Sequence, residues 1–276
     1  MSEKIPQNST RSDILDTGQW HIAVDISKEG FGAWLLPDAS LGITPRTVIN
    51  QAWAPSEEGL LGRIEDAVYD NPTVLDDYSA DIIVESDRQL WLPASLYLTD
   101  EDCAEAYSKI YGDDILDVMV NDLGKEKCAF TLVPGLKSFM QRSFPGARIW
   151  SQQSLLKETA GKSNCAFKIL VDIRKSSFDL VLFDRNDLLC ATTHSWKNHS
   201  DVAYILCNIA DTYGAEAKDS DIVFSGVRNV RQTLGKILAP YFKSVSQKSH
   251  DLGGMEIPTA VYLAINRKNR YAYHKR

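Results

Sequence analysis

Short apolar runs separated by polar turns predict the strands of this chain. Residues 20–26 and 31–36 are rich in apolar, β-branched and aromatic side chains, and residues 27–30 between them predict a β-hairpin turn. Gly30 ends this turn and is expected to take a positive φ. Another such run at residues 47–54 predicts a third consecutive strand.

Helical spacing of apolar residues predicts a helix after the third strand. Leu60, Ile64 and Val68 recur at this spacing. Ser56 is a suitable N-cap for the helix, and Pro72 stops it.

The same order of elements recurs in the second half of the chain. Residues 22–36 and 169–183 are identical at seven of fifteen aligned positions, where chance gives roughly one. A short apolar run at residues 81–84 indicates a buried parallel strand, and its counterpart follows at 221–224. Two matches in the same order predict an internal duplication of a β-β-β-α-β unit.

The elements of the second copy are predicted by the same kinds of pattern. They are strands at 167–173, 178–183, 188–196 and 221–224, a helix from Asn198 or Ser200 to Gly214, and a helix from Arg228 to before Pro240. Between the copies we expect a helix at 99–112, a strand at 127–133, a short helix carrying Leu136, Phe139 and Met140, and a helix at 152–159.

These patterns also predict the domain organisation. Residues 14–161 are expected to form a first lobe and residues 162–276 a second, with the boundary near 160–164. Residues 1–13 are polar and mixed in charge, so a disordered start is expected. The second lobe is expected to end in a solvated basic tail, whose charges are Arg267, Lys268, Arg270, Lys275 and Arg276.

Composition narrows the function classes. With 276 residues, 44% of them hydrophobic and 24% charged, the chain is typical of a soluble globular protein. Its net charge of −7 argues against binding to nucleic acid or to anionic membranes. Five cysteines without a C-x-x-C pair, no signal-peptide pattern and no long apolar segment favour a cytoplasmic protein with reduced thiols.

A duplicated β-β-β-α-β-α unit, in which each copy opens with a hairpin whose first strand ends in Asp, resembles the actin-like ATPase fold. Sugar kinases, Hsp70-type chaperones and actin share this fold. Residues 84–97, Val-Glu-Ser-Asp-Arg-Gln-Leu-Trp-Leu-Pro-Ala-Ser-Leu-Tyr, and the second hairpin are more closely similar to a bacterial family of unknown function. The resemblance implies an α/β protein of duplicated actin-like, ribonuclease H-like fold. Each of its two lobes would have a mixed five-stranded sheet and flanking helices.

Active members of the fold carry glycine in three motifs that contact the nucleotide. The glycine of a D-x-G hairpin lets backbone N–H groups approach the phosphates. Here serine and arginine stand at the glycine positions of the two hairpins, and the adenosine motif keeps one glycine of two. The candidate ligand residues at these places are Asp25, Ser27, Lys28, Asp172, Arg174, Lys175, Ser225 and Gly226. These departures predict that ATP hydrolysis has been lost.

The residues of the two hairpins allow more than one chemistry. Asp25 and Asp172 could face each other across a cleft and hold hydrated Mg²⁺, or each could cap its own hairpin by accepting backbone N–H bonds. Lys28, Arg174 and Lys175 could hold a phosphate, or could be polar turn residues. No catalytic residue and no metal site are assigned.

Three functional hypotheses follow. The leading one is a pseudo-ATPase that serves as a binding or scaffold module for another protein, needs no cofactor and is not an enzyme. The alternative is an ATPase or phosphotransferase with substituted loops that uses ATP and Mg²⁺. The third is a ribonuclease H-type nuclease, with acids such as Asp25 and Glu85 at the ends of strands.

Overall fold

A computed structural model describes residues 16–38, 44–54, 59–112, 117–159, 165–252 and 254–273 of the chain. The strands in this part are β1 (Trp20–Ile26), β2 (Gly30–Pro37), β3 (Arg46–Ala52), β4 (Ser79–Val84), β5 (Gln89–Pro93), β6 (Val118–Asp122), β7 (Glu126–Thr131), β8 (Arg148–Ser151), β9 (Phe167–Ile173), β10 (Ser177–Asp184), β11 (Asp187–Ser195), β12 (Ser220–Gly226), β13 (Ser244–Gln247), β14 (His250–Leu252) and β15 (Met255–Ile257). The helices are α1 (Leu60–Tyr69), α2 (Asp100–Tyr111), α3 (Leu136–Ser143), α4 (Gln152–Lys157), α5 (His199–Thr212), α6 (Arg228–Leu238) and α7 (Thr259–Tyr273).

Two five-stranded sheets have the same strand order. The first is ordered β3-β2-β1-β4-β8 and the second β11-β10-β9-β12-β13. Each opens with an antiparallel meander of three strands, and in the second sheet β12 runs parallel to both β9 and β13. The predicted α/β fold with two mixed five-stranded sheets is confirmed.

The chain divides into two compact units. One contains Met1–Ile82 and Val133–Ile149, and the other contains Ile83–Leu132 and Trp150–Arg276. The three-stranded sheet β5-β7-β6 therefore belongs to the second unit. Helix α2 packs on this small sheet through the buried Cys103 and Tyr107.

A buried ion cluster joins three neighbouring strands of the first sheet. Asp81 on β4 has no solvent exposure and accepts two hydrogen bonds of 2.8 Å from Arg148 on β8. His21 on β1 lies 3.0 Å from Asp81 through Nε2 and 2.9 Å from the Ser79 hydroxyl through Nδ1. Burial raises the pKa of Asp81, but His21 and Arg148 outweigh this effect and hold the pKa below its usual value.

Capping boxes fix the starts of two helices. The Thr99 hydroxyl accepts from the Asp102 N–H at the start of α2, and Asn198 accepts from Asp201 at the start of α5. The predicted starts of both helices agree with these caps.

Several sequence predictions concern positions outside the described residues. These are the disordered start at 1–13, the boundary at 160–164, and Lys275 and Arg276 of the basic tail. The limits of the two lobes thus remain predictions. No helix in the described part of the chain is long and apolar enough to span a membrane.

Two other predictions are wrong. The N-cap of α1 is Gly59 and not Ser56, and Arg267 of the expected solvated tail lies in α7 and is paired with Glu158.

Candidate functional site

In the turn of the first hairpin, two backbone N–H groups donate hydrogen bonds to a side chain of the same turn. The Ser27 hydroxyl accepts hydrogen bonds from the N–H groups of Glu29 and Gly30, at 3.2 and 3.1 Å. The Ser27 carbonyl accepts a third hydrogen bond from Trp53 Nε1, at 2.8 Å. Two amides that a phosphate would need as donors are therefore already bound to a side chain.

The other candidate residues of the first hairpin differ in exposure. Asp25 is half-buried on β1, and Lys28 is exposed in the turn. The prediction of a positive φ at Gly30 is wrong. Glycine is needed there because a Cβ atom would lie 2.4 Å from the Gln51 carbonyl oxygen of β3.

In the second hairpin, the Arg174 side chain is buried and folds back onto its own unit. It is only 9% exposed. Its Nε donates to the Ser177 hydroxyl at 2.9 Å, and Nη1 donates to Asp179 at 2.6 Å and to Gln152 at 2.5 Å. Nη2 lies 3.3 Å from the carboxylate of Glu85. The guanidinium is therefore held against side chains of β10, α4 and Glu85.

Two carboxylates surround this guanidinium. Asp179 on β10 also accepts hydrogen bonds from Thr193 at 2.5 Å and Gln153 at 3.4 Å, and Glu85 accepts one from Ser177 at 3.1 Å. Burial lowers the pKa of Arg174, but the charges of Asp179 and Glu85 outweigh this effect and raise the pKa above its usual value. Arg174 is thus a fixed cation in a buried network, and we call Glu85, Gln152, Arg174, Ser177 and Asp179 the Arg174 cluster.

Asp172 lies beside the Arg174 cluster and is also buried. It accepts a hydrogen bond of 2.6 Å from the Ser225 hydroxyl on β12. Burial raises the pKa of Asp172, and this effect outweighs the opposing effects of Ser225 and Arg174. Since Mg²⁺ binds ionised carboxylate oxygens, a raised pKa makes Asp172 a weaker ligand for it than an ordinary aspartate.

The remaining candidate residues of the second unit lie near the ends of β9 and β12. Gly226 has a φ of 87°, and a Cβ atom there would lie 2.0 Å from the Ile173 carbonyl oxygen. Lys175 is exposed in the turn. The structure thus brings Asp172, Arg174 and Ser225 together, while Asp25, Ser27 and Lys28 belong to the other unit.

The candidate residues of both hairpins make contacts within the chain. The turn amides of Glu29 and Gly30 bond to Ser27, and the Arg174 side chain is buried against side chains of its own unit. Within the described ranges, no group of three or more His, Cys, Asp or Glu side chains is placed to hold a metal ion.

Sequence reasoning named Glu85 only as a possible nuclease acid and did not single out the other partners of Arg174. Asp179, Gln152 and Ser177 carry no motif. The available signal was Asp179 itself, a charged residue near the start of the apolar strand β10, because a buried charge needs a partner.

Comparisons with known proteins agree with this fold. A family model described as a protein of unknown function (DUF3822) matches residues 23–245. A crystal structure of a Bacteroides thetaiotaomicron protein with actin-like ATPase fold and unknown function is similar with a TM-score of 0.74. Its identity is 18%, and the match covers 86% of this chain and 93% of that one.

A second solved structure comes from a PilM–PilN type IV pilus biogenesis complex. The TM-score is 0.57 at 9% identity, and the match covers 85% of this chain and 89% of that one. No curated protein matches the sequence. Both solved structures are below 25% identity, so they establish the actin-like ATPase fold and nothing about activity.

Proposed function

Since the chain belongs to the family described as protein of unknown function (DUF3822) and has the actin-like ATPase fold, we propose that it is a non-hydrolysing binding or scaffold module for another protein. We further propose that it works in the bacterial cytoplasm, because its five cysteines are free and three of them are buried.

The observation that carries this proposal is the burial of the Arg174 side chain at the second hairpin. In an active relative this turn would offer backbone N–H groups to a phosphate. Here Arg174 is buried there and bonds to three side chains, Gln152, Ser177 and Asp179. Moving it away would leave Glu85 and Asp179 buried without their cation, which is strongly unfavourable. This cost supports a hairpin that no longer opens to a nucleotide.

A binding role is supported by one of the solved structures of the same fold. That structure is a complex of PilM with PilN. The fold is thus found in an assembly with another protein, and we propose a role of that general kind for this chain.

Release of phosphate from ATP tests the loss of hydrolysis. The full chain and a variant with both Asp25→Asn and Asp172→Asn are compared in the presence of Mg²⁺. We expect the same background rate from both proteins, since neither acid serves hydrolysis. A faster rate for the wild type that the double substitution removes would instead identify a working ATPase.

A further inference from the structure

A groove of about 830 Å³ lies within the second unit. Three segments line it, namely residues 91–95 of β5 and the following turn, residues 124–126 of the β6–β7 turn, and residues 188–191 of β11. Its volume is within the usual range for binding pockets.

The groove contacts β11 along its edge. Four consecutive residues of β11 line it, and a β-bulge at Leu189 interrupts the regular alternation of their side chains between the two faces of the sheet. Leu188 and Ala191 pack against one apolar cluster, and Leu189 and Cys190 pack against another. Their side chains pack in two different clusters, so it is the backbone of these four residues that faces the groove.

The backbone of β11 has a hydrogen-bonding edge on this side. Among the strands that the structure describes, β11 is bonded only to β10. The Trp196 N–H donates to the Ser176 carbonyl at the start of this ladder. Since bonded and non-bonded pairs alternate in an antiparallel ladder, the pair Val181 and Ala191 is a non-bonded one. The N–H and C=O of Ala191 thus point away from β10.

A second strand edge borders the groove. β5 is an outer strand of the three-stranded sheet, and the Ala94 N–H donates to Lys125 O. The same alternation places the N–H and C=O of Trp91 away from β7. The outward carbonyl of Gln89 on this strand accepts from the Tyr111 hydroxyl at 3.0 Å, in agreement with that assignment.

The charges of the groove are already paired within the chain. Lys125 lies 2.7 Å from Asp187, and Glu126 lies 2.5 Å from Lys157. The other lining side chains are uncharged and mostly apolar, and they include Trp91 and Leu92. An uncharged occupant fits this wall, because a charged one would be desolvated without a partner.

The surface next to the groove is apolar as well. Leu96 and Leu98 follow the lining segment 91–95 and are each 74% exposed. Exposed apolar side chains of this size beside a groove are typical of interaction sites.

We infer that an extended, uncharged and apolar segment of a partner protein binds in this groove by pairing as an added strand with the free edge of β11. This mode of peptide recognition takes its affinity from main-chain hydrogen bonds and its specificity from alternate side chains. The inference rests on the proposed binding role and gives that role a site.

A library of random twelve-residue peptides displayed on phage is the probe. It is selected on the full chain, and a selected peptide is then synthesised with a fluorescent label for anisotropy. We expect selected sequences rich in β-branched and apolar residues and poor in charge. Ala191→Pro should weaken binding at least about tenfold, because proline removes one outward N–H and obstructs the edge.

Two variants serve as controls. Ala191→Val keeps the N–H, and Asn50→Pro places proline at an equivalent outward position of β3 in the first sheet, where Asn50 is opposite Gly32 in a non-bonded pair. Both should bind the peptide within about threefold of wild type. If Ala191→Pro does not fold, amide hydrogen exchange of the wild-type protein is measured with and without the peptide. A peptide paired with β11 should slow exchange of the Ala191 N–H.

Several results would overturn the inference. They are selection of charged peptides, failure to select any peptide, equal binding by folded Ala191→Pro, or unchanged exchange at Ala191. A wild-type dimer that Ala191→Pro dissociates would assign the edge to a second copy of the chain. Phosphate release from ATP is independent of these results, so the proposed function and the groove can fail separately.

Discussion

At the scale of single residues, Arg174 determines what the second hairpin can do. Its guanidinium is held by Asp179, Glu85, Gln152 and Ser177, all within one unit. Removing one member of a buried ion pair leaves an uncompensated charge. Arg174 is therefore expected to contribute to stability, and in the proposed function it also keeps a phosphate out of the second hairpin.

Arg174→Met tests this stabilising role. Methionine keeps an unbranched side chain but leaves Glu85 and Asp179 without a cation. We expect a loss of about 3 kcal/mol in the free energy of unfolding, measured with urea. Lys175→Met, at the neighbouring exposed position, should change it by less than about 0.5 kcal/mol. Similar small losses for both variants would show that the Arg174 cluster contributes little.

Asp172 predicts a pH dependence. Burial raises its pKa, so the folded protein keeps this proton to a higher pH than the unfolded chain, whose aspartates titrate near about 4. Between those two pKa values the native state binds more protons, and this contribution to stability falls as the pH rises.

Asp172→Asn should remove that contribution. An amide oxygen can still accept the Ser225 hydrogen bond, and it carries no charge. We expect the variant to gain stability relative to wild type as the pH is raised from 4 to 7, measured by urea unfolding at each pH. A stability difference between the two proteins that does not change with pH would contradict the raised pKa.

The sequence identified part of this residue-scale arrangement. Asp172, Arg174 and Ser225 stood at motif positions, and the structure brings them together. Gln152 could not be paired with Arg174 in advance, because their contact depends on how α4 packs against the meander. Asp179 lies five residues from Arg174 in the same hairpin, so the predicted hairpin could have indicated that pair.

At the scale of elements, the close approach of β12 to β9 requires a glycine. Gly226 has a positive φ, and its missing side chain leaves room for the Ile173 carbonyl. The Val227 N–H donates to that carbonyl at 2.8 Å. This bond joins the end of β12 to the hairpin that carries Arg174.

Gly226→Ala should destabilise the protein strongly. Gly124→Ala is its matched control, since both glycines have a φ of 87° but nothing lies within 4 Å of a Cβ at Gly124. The control should cost about 1–2 kcal/mol through φ alone, and Gly226→Ala at least about 2 kcal/mol more. Equal thermal and urea stabilities of the two variants would show that β12 can move away from β9.

Strong hydrophobic patterns predicted four of the five strands in each five-stranded sheet, and the fifth strand of each was missed. The meanders and helices α2 and α5 agree with the sequence because apolar runs and caps act locally. The predictions did not include β5, β6, β8, β13, β14 or β15, which have at most five residues. They also missed helix α7, which has fifteen residues and includes part of the expected basic tail. The free edges of β5 and β11 depend on sheet order, which no local pattern specifies.

At the scale of the whole molecule, the two five-stranded sheets have the same strand order, but their hairpins depart from the glycine-containing pattern in different ways. In the first, a serine hydroxyl binds the turn amides. In the second, the arginine of the turn is buried against Gln152, Ser177 and Asp179. We propose that neither hairpin serves a nucleotide phosphate, and this is the central claim of the proposed function.

Calorimetric titration of the full chain with ATP and Mg²⁺ tests that claim most directly. We predict no measurable binding, with any dissociation constant weaker than about 1 mM. Saturable binding of ATP with a dissociation constant of about 1–10 μM would contradict it.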